Sequence, residues 1–129
     1  MLMTQVMADA YGCNDLINDA DALLQAGHDA VASVGATVIG ETTVRYVPHG
    51  LTIGIFLAES HLVLTTWPEY KLLCIDTLLC NPEMSADSVV DVLVQRLCPE
   101  GDVVRHRVKR HIAAEAKRQC ISTPQKFIS

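Results

Sequence analysis

Residues 51–80, LTIGIFLAESHLVLTTWPEYKLLCIDTLLC, crowd three strand-like runs into one short segment. Over 51–58, Leu51, Ile53, Ile55 and Leu57 alternate onto one face, as in a half-buried strand. Residues 61–67 form the next run, closed by Pro68. Residues 72–80 are apolar enough to lie inside a sheet. The connections between these runs span a few residues, whereas a parallel crossover needs about a dozen or more. The three runs are therefore expected to be antiparallel neighbours, which restricts the folds open to the whole chain.

The flanking sequence extends this plan. Residues 4–12 alternate weakly and read as a strand. Asn14 is suited to cap a helix, with Asp15 in its first turn and Leu16, Ala20, Leu23, Leu24, Val31 and Val34 as its apolar stripe. Gly35 stands where that helix should stop. The Thr- and Val-rich stretch 36–47 predicts another strand, and Pro48-His49-Gly50 a turn. Ser85 should cap a second helix carrying Val89, Val90, Leu93, Val94 and Leu97, ended by Pro99 and Gly101. Residues 102–110 alternate as a last strand, and the tail from about 113 reads as irregular.

The order β-α-β-β-β-β-α-β predicts a single α/β domain of the α+β kind over residues 1–129. It would be a two-layer sandwich, a mainly antiparallel sheet with both helices on one face. The opposite face must then be polar or covered, and pairing of two copies into a homodimer covers it most simply.

A chain of 129 residues can bury a core without staples. The net charge of −5 argues against nucleic acid as a partner. No apolar run reaches the roughly 20 residues of a membrane helix. The opening MLMTQVMADAYG lacks the basic start of a secretory signal, so a cytoplasmic protein is expected. The five cysteines include no CxxC pair, which gives no support for a disulfide framework or a metal site. From Arg105 onward the chain is basic, with Glu115 as its single acid. That segment reads as a solvated edge strand and tail, or as a docking surface for an acidic partner.

Glu59-Ser60-His61 interrupts this apolar pattern. A hydrolase serine usually sits on a strand-to-helix elbow flanked by glycines, and neither feature is present. An ordinary turn is the plain alternative, although the stretch lacks the Gly, Asn or Pro of a good two-residue hairpin. A third reading is self-processing. A serine hydroxyl attacks the carbonyl before it and turns the amide into an ester. Loss of the serine Cα proton then expels the carboxylate, and the dehydroalanine left behind hydrolyses to a pyruvoyl group. Such chemistry needs a strained bond, a base and an oxyanion donor.

ESHLVLTTWPEY followed by CIDTLLC resembles the bacterial and archaeal S-adenosylmethionine decarboxylases, with their ESH…TWPE…ID…C pattern. SVGATVIGETTVRYVPHG is similar to the family's approach to the cleavage site, and the likeness spans roughly residues 4–110. The resemblance implies cleavage between Glu59 and Ser60 into a β chain 1–59 and an α chain 60–129, with Ser60 becoming the pyruvoyl cofactor. That ketone would form a Schiff base with the substrate amine and accept the electrons freed as CO2 leaves. The same resemblance makes Cys80 the proton donor, and an ordinary thiol with pKa near ~8.5 suits the task. It makes Glu69 the ligand of the ribose hydroxyls, Tyr46 the ring stacked on adenine, and Thr52 a hydroxyl useful in processing. The implied product is the aminopropyl donor for spermidine.

The chain departs from the family at Thr65, where the resemblance places a histidine that assists processing. The family's usual basic-histidine pair near the amino terminus is also absent. Threonine is no base at neutral pH. His61, beside the serine, or His49, in the preceding turn, could supply an imidazole, with His49 the weaker candidate because a lone turn histidine is more often a surface residue. Two alternatives follow: a member acting on ornithine or arginine, or an unprocessed, non-catalytic homologue.

Overall fold

The computed structural model describes residues 2–112. The elements are β1 (Leu2–Tyr11), α1 (Ala20–Ser33), β2 (Val38–Arg45), β3 (Leu51–Leu57), β4 (Ser60–Trp67), β5 (Leu72–Leu79), α2 (Ala86–Leu97) and β6 (Asp102–His111). They build one six-stranded sheet in the order β2-β3-β4-β5-β1-β6, antiparallel at every pairing. The three runs of residues 51–80 are consecutive neighbours, and β5 is interior, as the sequence predicts. The tail expected from about residue 113 lies outside the described residues.

Strand alternation sends one set of side chains to the helices. Leu51, Ile53, Ile55 and Leu57 are all buried there, with Leu62 and Leu64 of β4 and Leu73 and Ile75 of β5. α1 contributes Leu23, Ala26, Ala30 and Val31, and α2 Val89, Val90, Leu93 and Leu97. Gly27 permits the close approach of α1, since a Cβ there would come within 2.6 Å of the Ile55 Cδ1.

The first helix begins later than the sequence suggests. The Asn14 side chain accepts from the Leu16 amide and caps only a 3-10 turn, Asp15–Asn18. Asp19 is extended and accepts from the Ala22 amide, which starts α1 anew. That break turns Leu16 outward to 41% exposure and buries Ile17 in its place. The second helix is capped by Ser85 as expected.

The basic edge strand is less free than its composition implies. Arg105 donates to Asp87 at 2.9 Å and to Asp91 at 2.5 Å, both on α2, and Arg107 donates to Asp87 at 2.8 Å. The two guanidiniums hold the Asp87 carboxyl below the usual carboxylate range, with Arg107 the larger influence. The acidic partner of this part of the basic segment is thus the chain's own second helix.

Thr77 is fully buried on β5, and its hydroxyl has no hydrogen-bond partner among the described residues. A buried unpaired hydroxyl costs about 1–3 kcal/mol, and an apolar group of the same shape avoids that cost. Thr77→Val is expected to raise the stability by about 1 kcal/mol, read as a higher urea midpoint at unchanged slope.

Candidate active site

β3 and β4 join through Ala58 and Glu59 alone, with Leu57 paired to Ser60. This two-residue hairpin forms without the glycine or asparagine that such turns favour. The backbone meets the turn without them: Glu59 takes a left-handed φ of +59°. For an L-residue bearing a Cβ, that conformation costs roughly 1–2 kcal/mol. The strain sits on the residue whose carbonyl precedes Ser60.

The end of β5 closes over this turn. His61 pairs with Leu78, so the chain leaving β5 passes beside the hairpin. The Cys80 amide donates to the Ser60 Oγ at 3.2 Å, and the Cys80 Sγ donates to the Glu59 carbonyl oxygen at 2.7 Å. One residue therefore holds both the hydroxyl and the carbonyl of the Glu59–Ser60 unit. A cleft of about 480 Å³ opens here, lined by Thr37, Glu59, Ser60, Cys80, Asn81 and Met84 among others.

The remaining candidates gather elsewhere. Thr65 lies five positions along β4 from Ser60, roughly 16 Å at strand rise. It pairs with Thr52, and their hydroxyls are 3.1 Å apart. The Tyr46 hydroxyl meets Thr52 Oγ1 at 2.9 Å. Across the same cavity, of about 330 Å³, the His49 Nε2 is hydrogen-bonded to the Glu69 Oε2. Tyr46, Thr65, Trp67, His49 and Glu69 all line it. Sequence reasoning left His49 as a lesser candidate, because a histidine in a Pro-His-Gly turn looks the same whether or not a carboxylate faces it.

His61 belongs to neither cluster. Adjacent strand residues point to opposite faces. It therefore turns from Ser60 towards the sheet face away from the helices, 3.8 Å from Asp76, which also accepts from Gln5 at 3.0 Å. That open face exposes the apolar side chains Met7, Tyr11, Val44, Phe56, Trp67 and Val104 among polar ones such as Gln5, Asp9 and Asp76. Cys74 lies on it as well, its pKa raised by burial and by Asp9. Cys13 is buried on the other side, and burial together with the Cys98 thiol pushes it up to about 12. A thiol so rarely ionised is a poor nucleophile.

The model of one protein family, described as S-adenosylmethionine decarboxylase, matches residues 4–111. The chain belongs to the S-adenosylmethionine decarboxylase family. Among its relatives, the S-adenosylmethionine decarboxylase proenzyme of Brevibacillus brevis is 32% identical over 105 residues, covering 81% of this chain and 79% of that protein. The proenzyme of the same name from Aquifex aeolicus is 31% identical over 96 residues, covering 74% and 71%. The crystal structure of the adenosylmethionine decarboxylase from Aquifex aeolicus superposes with a TM-score of 0.78 at 28% identity, covering 88% of this chain and 94% of that one. The two-layer sandwich expected from the sequence is thus the fold of a family member.

Among the described residues, no helix is long and apolar enough to cross a membrane. The same residues hold no cluster of three or more His, Cys, Asp or Glu side chains able to bind a metal ion.

The strain at Glu59 can be measured apart from any chemistry at Ser60. In a Ser60→Ala background, Glu59→Gly is expected to add about 1 kcal/mol of stability, because glycine reaches positive φ freely. Equal urea midpoints for the two chains would show that the left-handed turn is not strained.

Proposed function

We propose that this chain decarboxylates S-adenosylmethionine with a pyruvoyl group made from its own Ser60, after cleavage at Glu59–Ser60 into chains 1–59 and 60–129. The product would be the aminopropyl donor for polyamine synthesis. The observation that carries the reading is the double engagement of the Glu59–Ser60 unit by Cys80 at a left-handed turn. The names of the relatives favour S-adenosylmethionine over ornithine or arginine, and their designation as proenzymes agrees with a self-cleaving chain.

The local chemistry fits the group. A thiol hydrogen bond on the Glu59 oxygen polarises the carbonyl that Ser60 would attack, and it would stabilise negative charge developing there. Because the Cys80 amide donates to the Ser60 Oγ, the serine's own proton remains free to leave. The pyruvoyl ketone, once made, supplies an electron sink for the electrons released with CO2. Cys80 then stands beside it as proton donor, a role that needs a reduced thiol and so a reducing compartment such as the cytoplasm.

Substrate recognition would use the second cluster. Tyr46 keeps about half its surface exposed while its hydroxyl is tied to Thr52, which leaves the ring free to stack on adenine. Glu69 has one oxygen on His49 and a second to offer to ribose hydroxyls. Within one copy this cluster is too far from Ser60 for one substrate to meet both. Two copies packed through their open faces, about a two-fold axis perpendicular to β4, would lay the Ser60 end of one over the Thr65–Glu69 end of the other. The apolar side chains of that face support such a homodimer, and sheets packed face to face sit about 10 Å apart. Each site would then draw residues from both chains.

Mixed dimers test the arrangement. Ser60→Ala and Glu69→Gln chains should each be nearly inactive alone. Co-expressed, they should recover about a quarter of wild-type activity, since half the dimers are mixed and one of their two sites carries neither change. No recovery would place each site within a single chain. Ser60→Ala should also run as one uncleaved chain on intact-mass analysis.

Cys80→Ala addresses the thiol. The resemblance gives Cys80 only the part of proton donor, and the contact with the Glu59 oxygen argues for a part in cleavage as well. Loss of one oxyanion donor slows a reaction about 10²–10³-fold. Self-cleavage is expected to slow by up to that factor, whereas Cys74→Ala should cleave at the wild-type rate.

A further inference from the structure

Pyruvoyl formation needs a base that the hydroxyl-bearing residues of the second cluster cannot provide. After Ser60 Oγ attacks the Glu59 carbonyl carbon, the amide C–N bond breaks and the hydroxyl proton passes to the nitrogen. This leaves an ester between Glu59 and the Ser60 side chain. A base must then take the Cα proton of residue 60. The C–H electron pair forms the Cα=Cβ bond, and the Cβ–Oγ bond breaks, its electrons leaving on the Glu59 carboxylate. The dehydroalanine so formed takes a proton at Cβ to become the imine, water adds to the imine carbon, and ammonia departs. Thr52, Thr65 and Tyr46 form a hydrogen-bonded hydroxyl chain, and none of these is a base at neutral pH.

We propose that His49 is this base, with Glu69 as the residue that positions it. The inference rests on the two-copy arrangement proposed above. Among the described residues His49 is the one imidazole lining the cavity that holds Thr65 and Glu69, and its Nε2 is bonded to the Glu69 carboxylate. A carboxylate on one ring nitrogen fixes the orientation of an imidazole. Arg45 and Tyr46 are the other ionisable side chains lining the pocket around it.

The other described histidines are placed less well. His28 is engaged by Glu41 on the helix side of the sheet. His106 and His111 lie on the edge strand β6, three strands from β4. His61 turns from its own Ser60 and pairs with Asp76 near the same end of the strand. The two-fold relation that lays one copy's Thr65 end over the other's Ser60 carries His49 with it. It carries His61 to the opposite end.

The test follows self-cleavage of the full chain by intact mass, with added hydroxylamine to trap ester. His49→Gln is expected to form the ester but slow pyruvoyl formation by about 100-fold or more, the usual contribution of a general base. Hydroxylamine should then release a chain ending in a Glu59 hydroxamate. Added imidazole, or Thr65→His in the same chain, should restore pyruvoyl formation by returning an imidazole to the cavity, an effect that no purely structural role of His49 would produce. Wild-type rates in His49→Gln overturn the proposal, as does ester accumulation in His61→Gln instead. A His49→Gln chain that imidazole and Thr65→His both fail to rescue also overturns it. A wild-type chain that never cleaves overturns the parent reading as well, so the two failures are distinguishable.

Discussion

The register of the β3–β4–β5 meander is the constraint on which the rest depends. Pairing Leu57 with Ser60 allows only two residues for the turn, which drives Glu59 into a left-handed conformation. The same register pairs Thr52 with Thr65 and His61 with Leu78. A slip of one residue would move Leu62 and Leu64 out of the core and Thr65 into it. The apolar alternation that buries the core therefore also sets the position of every candidate site residue on these strands.

The candidate site divides between the two ends of β4. At one end, strain and the two hydrogen bonds from Cys80 converge on a single peptide unit. At the other, hydroxyls, a phenol ring and a carboxylate–imidazole pair surround a cavity. In the proposed reading, neither end alone has the parts of a complete decarboxylase. The exposed apolar side chains of the open face between them offer the means to join one copy's first end to another's second, so the surface that covers the sheet and the surface that completes the site would be the same.

Much of this was legible in the chain itself. Short connections fixed antiparallel order, and alternation at Leu51, Ile53, Ile55 and Leu57 identified the buried face correctly. The cap at Ser85 and the stop at Gly35 were readable because they depend on local backbone chemistry. The start of α1 was not, because Asn14 and Asp19 both satisfy capping rules and the choice rests on whether Ile17 or Leu16 finds the core. The basic run at β6 looked solvated because nothing local reveals that Asp87 and Asp91 of α2 lie across from it.

The sequence by itself determined the family, the layer architecture and the identity of Ser60, Cys80 and Glu69 as residues of interest. These follow from periodicity and from a motif whose spacing is local. Only the tertiary structure decided that the Cys80 thiol rests on the Glu59 carbonyl, that His49 faces Glu69, and that His61 turns from the serine beside it. Each is a contact between segments distant in sequence, or a choice of sheet face. Such relations are set by register and packing, which no stretch of residues read alone contains.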